Sequence, residues 1–372
     1  MRVGTPRSPA VTRATTTRTI ERPRVSFSDR ARRRLRWLLP VVIVWTSACA
    51  APPAKAPPAK AAARALHRGP LTDFVSAAGL RWLVVVKPRQ LLADPELGPA
   101  IQQVVPSNRF DAFAEASGVD LRAVPEAAVA GFAYSQLYLA ELPNGVASLA
   151  RARFGERLLS GAVTKRPRTG LYRLTGVIGQ TPETLLTIDE RALVVAVGDP
   201  IPAKIAEAYA EERLKNSPTA LRGAALSALP DLTAGNAAVL FAPGPFSDEW
   251  QRAAGGLLQS AVALAIAAQP IGNGKVATTL YLAGAWGDSA DDATQRLAAA
   301  WQTFARSSAG RLFELNEIAD VRSSPELLTL HVEFEVAALV RGLKASVLGD
   351  LSEILRIPQR TPADAREPST AP

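Results

Sequence analysis

The chain has 372 residues, 48% of them hydrophobic, with 43 basic and 34 acidic side chains and a formal charge of +9 at pH 7. The excess sits in residues 1–36, which hold 11 arginines and two acids. The remainder therefore carries 43 less 11 basic and 34 less 2 acidic side chains, 32 of each, which excludes a bulk attraction to nucleic acid. One cysteine and two histidines exclude a Cys-rich zinc site and a disulfide within one chain.

In chain order the first feature is the arginine cluster Arg30 to Arg36, followed by the uncharged run Trp37 to Ala48. That run of 12 residues is shorter than the roughly 20 needed to cross a hydrocarbon core. With a basic segment before it and small residues behind it, the run reads as the apolar part of a secretory signal. Residues 1–48 are thus a signal peptide with an overlong basic start; Arg36 interrupts the twin-arginine pattern that Arg32 to Arg34 would begin.

Thr46, Ser47, Ala48 and Cys49 together resemble the lipobox of bacterial lipoproteins, with Thr46 where leucine is commoner. The resemblance implies diacylation of the Cys49 thiol, cleavage before it and acylation of the new amino end, which removes that thiol from catalysis. Ala50 in place of aspartate implies, by the same resemblance, release to the outer membrane facing the periplasm. Residues 49–69 form a tether in which "APPAK" occurs twice. Proline pairs favour polyproline II at about 3.1 Å per residue, a semi-rigid spacer on the order of 50 Å long. His67, at its far end, reads as a solvated spacer residue.

Two halves of similar succession follow, 70–235 and 236–357. The first opens with the strand run "LRWLVVV" (80–86) and the helical "LLADPELGPAIQQVV". The second opens with "NAAVLFA" (236–242) and the helical "DEWQRAAGGLLQSAVALAIAAQ". A strand over 127–142 matches one over 275–286. A helix over 145–159 matches one over 288–307, where Asp288 and Ser289 suit an N-cap. Hairpins follow over 184–198, breaking at Asp189 and Glu190, and over 320–336, breaking at Ser323 to Pro325. Helices over 201–215 and 337–355 close the halves, and the Pro-rich tail 358–372 has too little to bury to fold. The expectation is an α+β fold of two similar repeats, with mainly antiparallel sheets and helices packed to one side.

The segment "VVVKPRQLLADPELGPAIQQVVP" with "FAEASGVDLRAVPEAAVAGF", behind a lipobox and a Pro/Ala tether, resembles uncharacterised two-repeat lipoproteins of GC-rich, soil-type Gram-negative bacteria. The resemblance covers the first half well and the second poorly. It implies an architecture and no catalytic residues.

The remaining chemistry is sparse. No G-x-S-x-G occurs and no serine is followed three places later by lysine, which excludes the commonest serine-nucleophile elements. "GNGK" (272–275) lacks the first glycine and the Ser/Thr of a phosphate loop and reads as a β-turn. In "LTLHVEFEV", alternation sends Thr329, His331, Glu333 and Glu335 to one strand face. There an imidazole and two carboxylates are weak metal candidates beside the plainer reading of a solvated, ion-paired face. Asp291 and Asp292 suit a helix first turn, and Glu211 and Glu212 face solvent. Trp82, Trp250, Trp286 and Trp301 read as core. The uncharged stretch 253–274 reads as a buried helix, with the alternative that Gly255, Gly256, Leu257, Leu258, Ala261 and Leu264 line a groove for an acyl chain. No cofactor is implied. The leading expectation is a membrane-anchored, non-catalytic envelope lipoprotein, a binding or assembly module. A periplasmic carrier of a lipid or other hydrophobic ligand is the alternative, and an enzyme with an unrecognised active site the third.

Overall fold

The computed structural model describes residues 65–354. Cys49, the expected signal peptide, most of the expected tether and the tail lie outside the described residues. Twelve strands form one sheet: β1 (Trp82–Val86), β2 (Ala127–Gly131), β3 (Ser135–Glu141), β4 (Ser160–Arg168), β5 (Leu171–Ile178), β6 (Thr181–Ile188), β7 (Ala192–Gly198), β8 (Ala238–Pro243), β9 (Ala261–Gly272), β10 (Lys275–Gly284), β11 (Asp320–Ser323) and β12 (Leu327–Glu335). Their order is β11-β12-β10-β9-β8-β1-β2-β3-β7-β6-β5-β4, and every neighbouring pair is antiparallel. The helices are α1 (Pro88–Ala93), α2 (Leu97–Val104), α3 (Ser107–Ser117), α4 (Val146–Arg157), α5 (Ile201–Ala210), α6 (Leu229–Thr233), α7 (Asp248–Ala253), α8 (Ala290–Arg306), α9 (Ser308–Leu312) and α10 (Val336–Ile354).

The class is α+β, and the halves share one sheet rather than owning two. They meet where β1 pairs with β8, Leu83 opposite Phe241 and Val85 opposite Val239. Outward from that pair the order is β1-β2-β3-β7-β6 on one side and β8-β9-β10-β12-β11 on the other, with β5 and β4 added at one edge.

Strand alternation sends successive side chains to opposite faces, and in the first half both faces are apolar. Leu186, Val194 and Leu137 pack under Ala203 and Ala206 of α5 in the main core, while Leu185 packs with Phe154 of α4 on the opposite face. Helices therefore lie on both faces, which corrects the expectation of one side. In the second half, α8 sends Ala293 and Leu297 onto Leu282, Leu328 and Leu330. Truncating a fully buried leucine such as Leu186 to alanine removes contacts worth about 2–5 kcal/mol.

Three sequence expectations give way to the structure, and one hairpin, β4–β5, has no counterpart in the sequence reading. Residues 261–272 form β9, not a helix, and only 248–253 of that stretch are α-helical. Alanine is the best helix former, but β8 and β10 satisfy the β9 backbone from both sides, and Ala263, Ala265 and Ala267 fill one buried face. Gly255 and Gly256, at φ +59° and +82°, make the turn before it, a conformation that costs glycine little. Residues 127–142 are two strands, with the turn Phe132 to Tyr134 between them. Gly131, the last residue of β2, lies opposite Trp82 of β1, and a Cβ there would sit 2.2 Å from that ring. The β4–β5 hairpin was unread because β4 is exposed along almost its whole length; Pro167 and three cations mark it as a guarded edge. Finally, His67 is docked rather than solvated. Its N–H donates to the Ala210 carbonyl at 2.9 Å, and its Nε2 lies 2.9 Å from Asp73 Oδ2.

Candidate ligand cavity

The sequence candidates do not converge. The register of β12 on β10 places His331, Glu333 and Thr329 on one face, as alternation requires. There His331 Nδ1 lies 3.0 Å from Thr279 Oγ1, and Lys275 donates to Glu333 at 3.0 Å. That lysine is held more firmly protonated by its hydrogen bond to Glu333, with the charge of Glu335 adding to it. Among the described residues no three His, Cys, Asp or Glu side chains gather as a metal site would need.

The proposed groove residues are also accounted for. Leu257, Leu258, Ala261 and Leu264 are buried in the second-half core, while Gly255 and Gly256 belong to the turn before β9. "GNGK" is the β9–β10 turn, with Gly272, Asn273 and Gly274 all at positive φ. Asp291 and Asp292 open α8, and Ser289 stands at its N-cap. The Ser289 hydroxyl nevertheless donates back to the Trp286 carbonyl at 2.6 Å instead of capping. Glu211 pairs with Arg213. Trp286 is buried and donates to the Leu282 carbonyl at 3.2 Å, and Trp301 donates to that of Asn316 at 2.9 Å. Trp250 instead stacks on Phe246 and is exposed.

Space for a ligand lies in the first half, on the α4 face of the sheet. A cavity of about 560 Å³, open to solvent on one side, lies between α3, α4 and strands β2, β3, β6 and β7. Its floor follows from strand parity. Along β7, Val194 and Ala196 turn to the α5 core, so Leu193, Val195 and Val197 must turn to the other face, where they line the cavity with Val129 and Leu185. Its walls follow from helical spacing. Ala147, Ala150 and Phe154 of α4 fall at i, i+3 and i+7 and are buried, and Phe113 of α3 reaches the rim half-exposed. The two helices are clamped together at Gly118 (φ +74°), where a Cβ would sit 2.9 Å from the α4 backbone. α4 itself rests on the sheet through Ala147, Ala150 and Phe154, so the space opens beside that contact, toward α3.

The lining is predominantly apolar, as in small-molecule sites of roughly 300–1,000 Å³. Its charged members are Arg157, in the last turn of α4, and Glu183 on β6. Burial raises the Glu183 carboxyl above its ordinary value of 4.5, while the charge of Arg157 pulls it back. Neither side chain makes an ion pair within 4 Å or a side-chain hydrogen bond among the described residues. The other polar linings are occupied: Ser117 donates to the Phe113 carbonyl at 2.7 Å, and Tyr138 donates to Gln136.

A more polar hollow of about 330 Å³ lies at an end of the first-half strands, lined by His67, Glu126, Glu141 and Arg191 among others. Burial first, and then the neighbouring Glu141, raise the Glu126 carboxyl. Glu141 is itself held by Arg191 at 2.9 Å.

The cavity was missed in the sequence although a signal was present. "TLLTI" and "ALVVAVG" are apolar at both parities, so both faces of β6 and β7 must be covered, and a helix on one face alone cannot do that.

No protein-family model and no curated protein matches the chain. Among solved structures, "Structure of crystal form III of TP0453" is similar over 74% of this chain and 98% of that one, at 13% identity and a TM-score of 0.43. So distant a likeness carries no argument about function.

Proposed function

We propose that this chain is an envelope lipoprotein, anchored through Cys49 to the outer membrane, that binds a hydrophobic ligand in the cavity under α3 and α4 and performs no catalysis on it. The observation that carries the ligand reading is the cavity itself, about 560 Å³ with an apolar floor. A concave, mostly apolar site of this size is the usual form of a small-molecule pocket. At about 30 Å³ per water- or methylene-sized group, the volume admits on the order of 15–20 such groups, the length of one acyl chain. The lipobox and the tether support the anchoring, and the repeated strand order on either side of β1 and β8 supports descent of the two halves from one repeat.

The test uses the soluble Cys49→Ser protein and the apolar fluorophore N-phenyl-1-naphthylamine. Saturable binding at one probe per chain is expected. Val195→Trp, which fills the floor, is expected to weaken it at least tenfold while the unfolding transition stays cooperative. Absence of saturable binding, or binding indifferent to Val195→Trp, contradicts the ligand reading.

A further inference from the structure

Arg157 and Glu183 border an otherwise apolar cavity, and neither is engaged by a partner at bonding distance. Their charges act on one another across the cavity without a direct bond, which leaves the donors of Arg157 free for a ligand. Arg157 stands exposed in the last turn of α4 and borders the cavity. A guanidinium presents a planar fork of donors that matches a carboxylate in two parallel bonds. Glu183, half-buried across from it, repels a second negative charge, so a headgroup of one charge suits the pair better than a dianion.

Resting on the ligand reading above, we infer that the cavity selects a long-chain fatty acid. Its hydrocarbon lies along Val129, Leu193 and Val195, and its carboxylate is received by Arg157. Glu183 is the specificity element. It disfavours more highly charged heads and leaves the affinity for a simple carboxylate submaximal, because it competes for the same guanidinium. An uncharged alcohol of the same chain length gains the apolar contacts and forgoes the charge-assisted bonds. A cationic head would instead be drawn to Glu183, so its affinity reports which of the two charges governs the headgroup.

The experiment titrates palmitate, hexadecanol and hexadecyltrimethylammonium against the soluble protein by displacement of N-phenyl-1-naphthylamine, all below their aggregation concentrations. Palmitate is expected to bind about tenfold more tightly than hexadecanol; an ammonium tighter than palmitate makes Glu183 the headgroup partner and overturns the assignment. Arg157→Gln, at an exposed position that does not hold the fold together, is expected to bring palmitate down to the level of hexadecanol without changing hexadecanol. Glu183→Gln is expected to tighten palmitate several-fold. Hexadecanol equal to or tighter than palmitate in the wild type, or palmitate indifferent to Arg157→Gln, overturns the headgroup assignment and leaves the cavity reading standing. Binding of none of the three, with the fluorophore also failing to bind, overturns the cavity reading itself.

Discussion

Arg173 on β5 and Glu207 on α5 form an ion pair beneath the helix, with side chains 17% and 8% exposed. The register sets Arg173 opposite Leu186 of the main core, so the pair lies at the margin of that core. The two partners are not equivalent. Removing Arg173 abandons a carboxylate that water barely reaches, and an uncompensated buried charge costs about 3–5 kcal/mol. Removing the charge of Glu207 leaves a more exposed guanidinium on a long stem that can swing toward solvent, and the amide of Glu207→Gln still accepts a hydrogen bond, so a loss of about 1–2 kcal/mol is expected. At about 2–4 °C per kcal/mol for a domain of this size, Arg173→Met should lower the melting midpoint by about 6–20 °C and Glu207→Gln by about 2–8 °C. The double variant Arg173→Met/Glu207→Leu replaces the pair with apolar volume and should recover most of the loss. The assay is thermal unfolding of the soluble Cys49→Ser protein at pH 7, followed by circular dichroism. Equal small shifts for both single variants, or a double variant worse than Arg173→Met, refute the reasoning.

Replacing Cys49 by serine should abolish incorporation of a metabolic fatty-acid probe and leave a soluble or unprocessed form; labelling that persists contradicts the lipobox reading. Changing His331, Glu333 and Glu335 together to threonine should shift stability by no more than about 1 kcal/mol, the worth of exposed ion pairs. Elemental analysis should find no stoichiometric metal for the triple variant to lose. The raised Glu126 carboxyl binds its proton more tightly folded than unfolded, so its contribution to stability is full below its ordinary value of 4.5 and is lost as pH rises through the folded value. Glu126→Gln should therefore melt above wild type at pH 8, with the gap closing by about pH 4; a gap that widens toward acid contradicts the assignment.

The sequence made the hairpins plain, because strand runs flanked tight polar breaks. Asp189 and Glu190 stand at φ +51° and +56° between β6 and β7, where the pattern required a turn. The helices α4, α5 and α8 were legible from their apolar spacing. Residues 261–267 were not, although "AVALAIA" alternates with period two. Alanine favours a helix locally, and the partners that make this segment a strand, β8 and β10, are fixed only once the sheet assembles. The charged β4 carries no apolar pattern at all, so pairing with β5 is its whole definition. The binding space was hidden for a related reason. The space is bounded by elements far apart in the chain, and Gly118, which lets α3 meet α4 closely, reads in sequence as an ordinary helix stop.

The account stands most directly on whether the first-half cavity holds a ligand. Native mass spectrometry of the soluble Cys49→Ser protein, purified without detergent and offered equimolar palmitate, measures this in one spectrum. The account predicts a single mass increment of one palmitate per chain, at most weak in Val195→Trp and unchanged in the His331, Glu333 and Glu335 triple variant. A spectrum of bare protein, or an increment that Val195→Trp leaves intact, would contradict it.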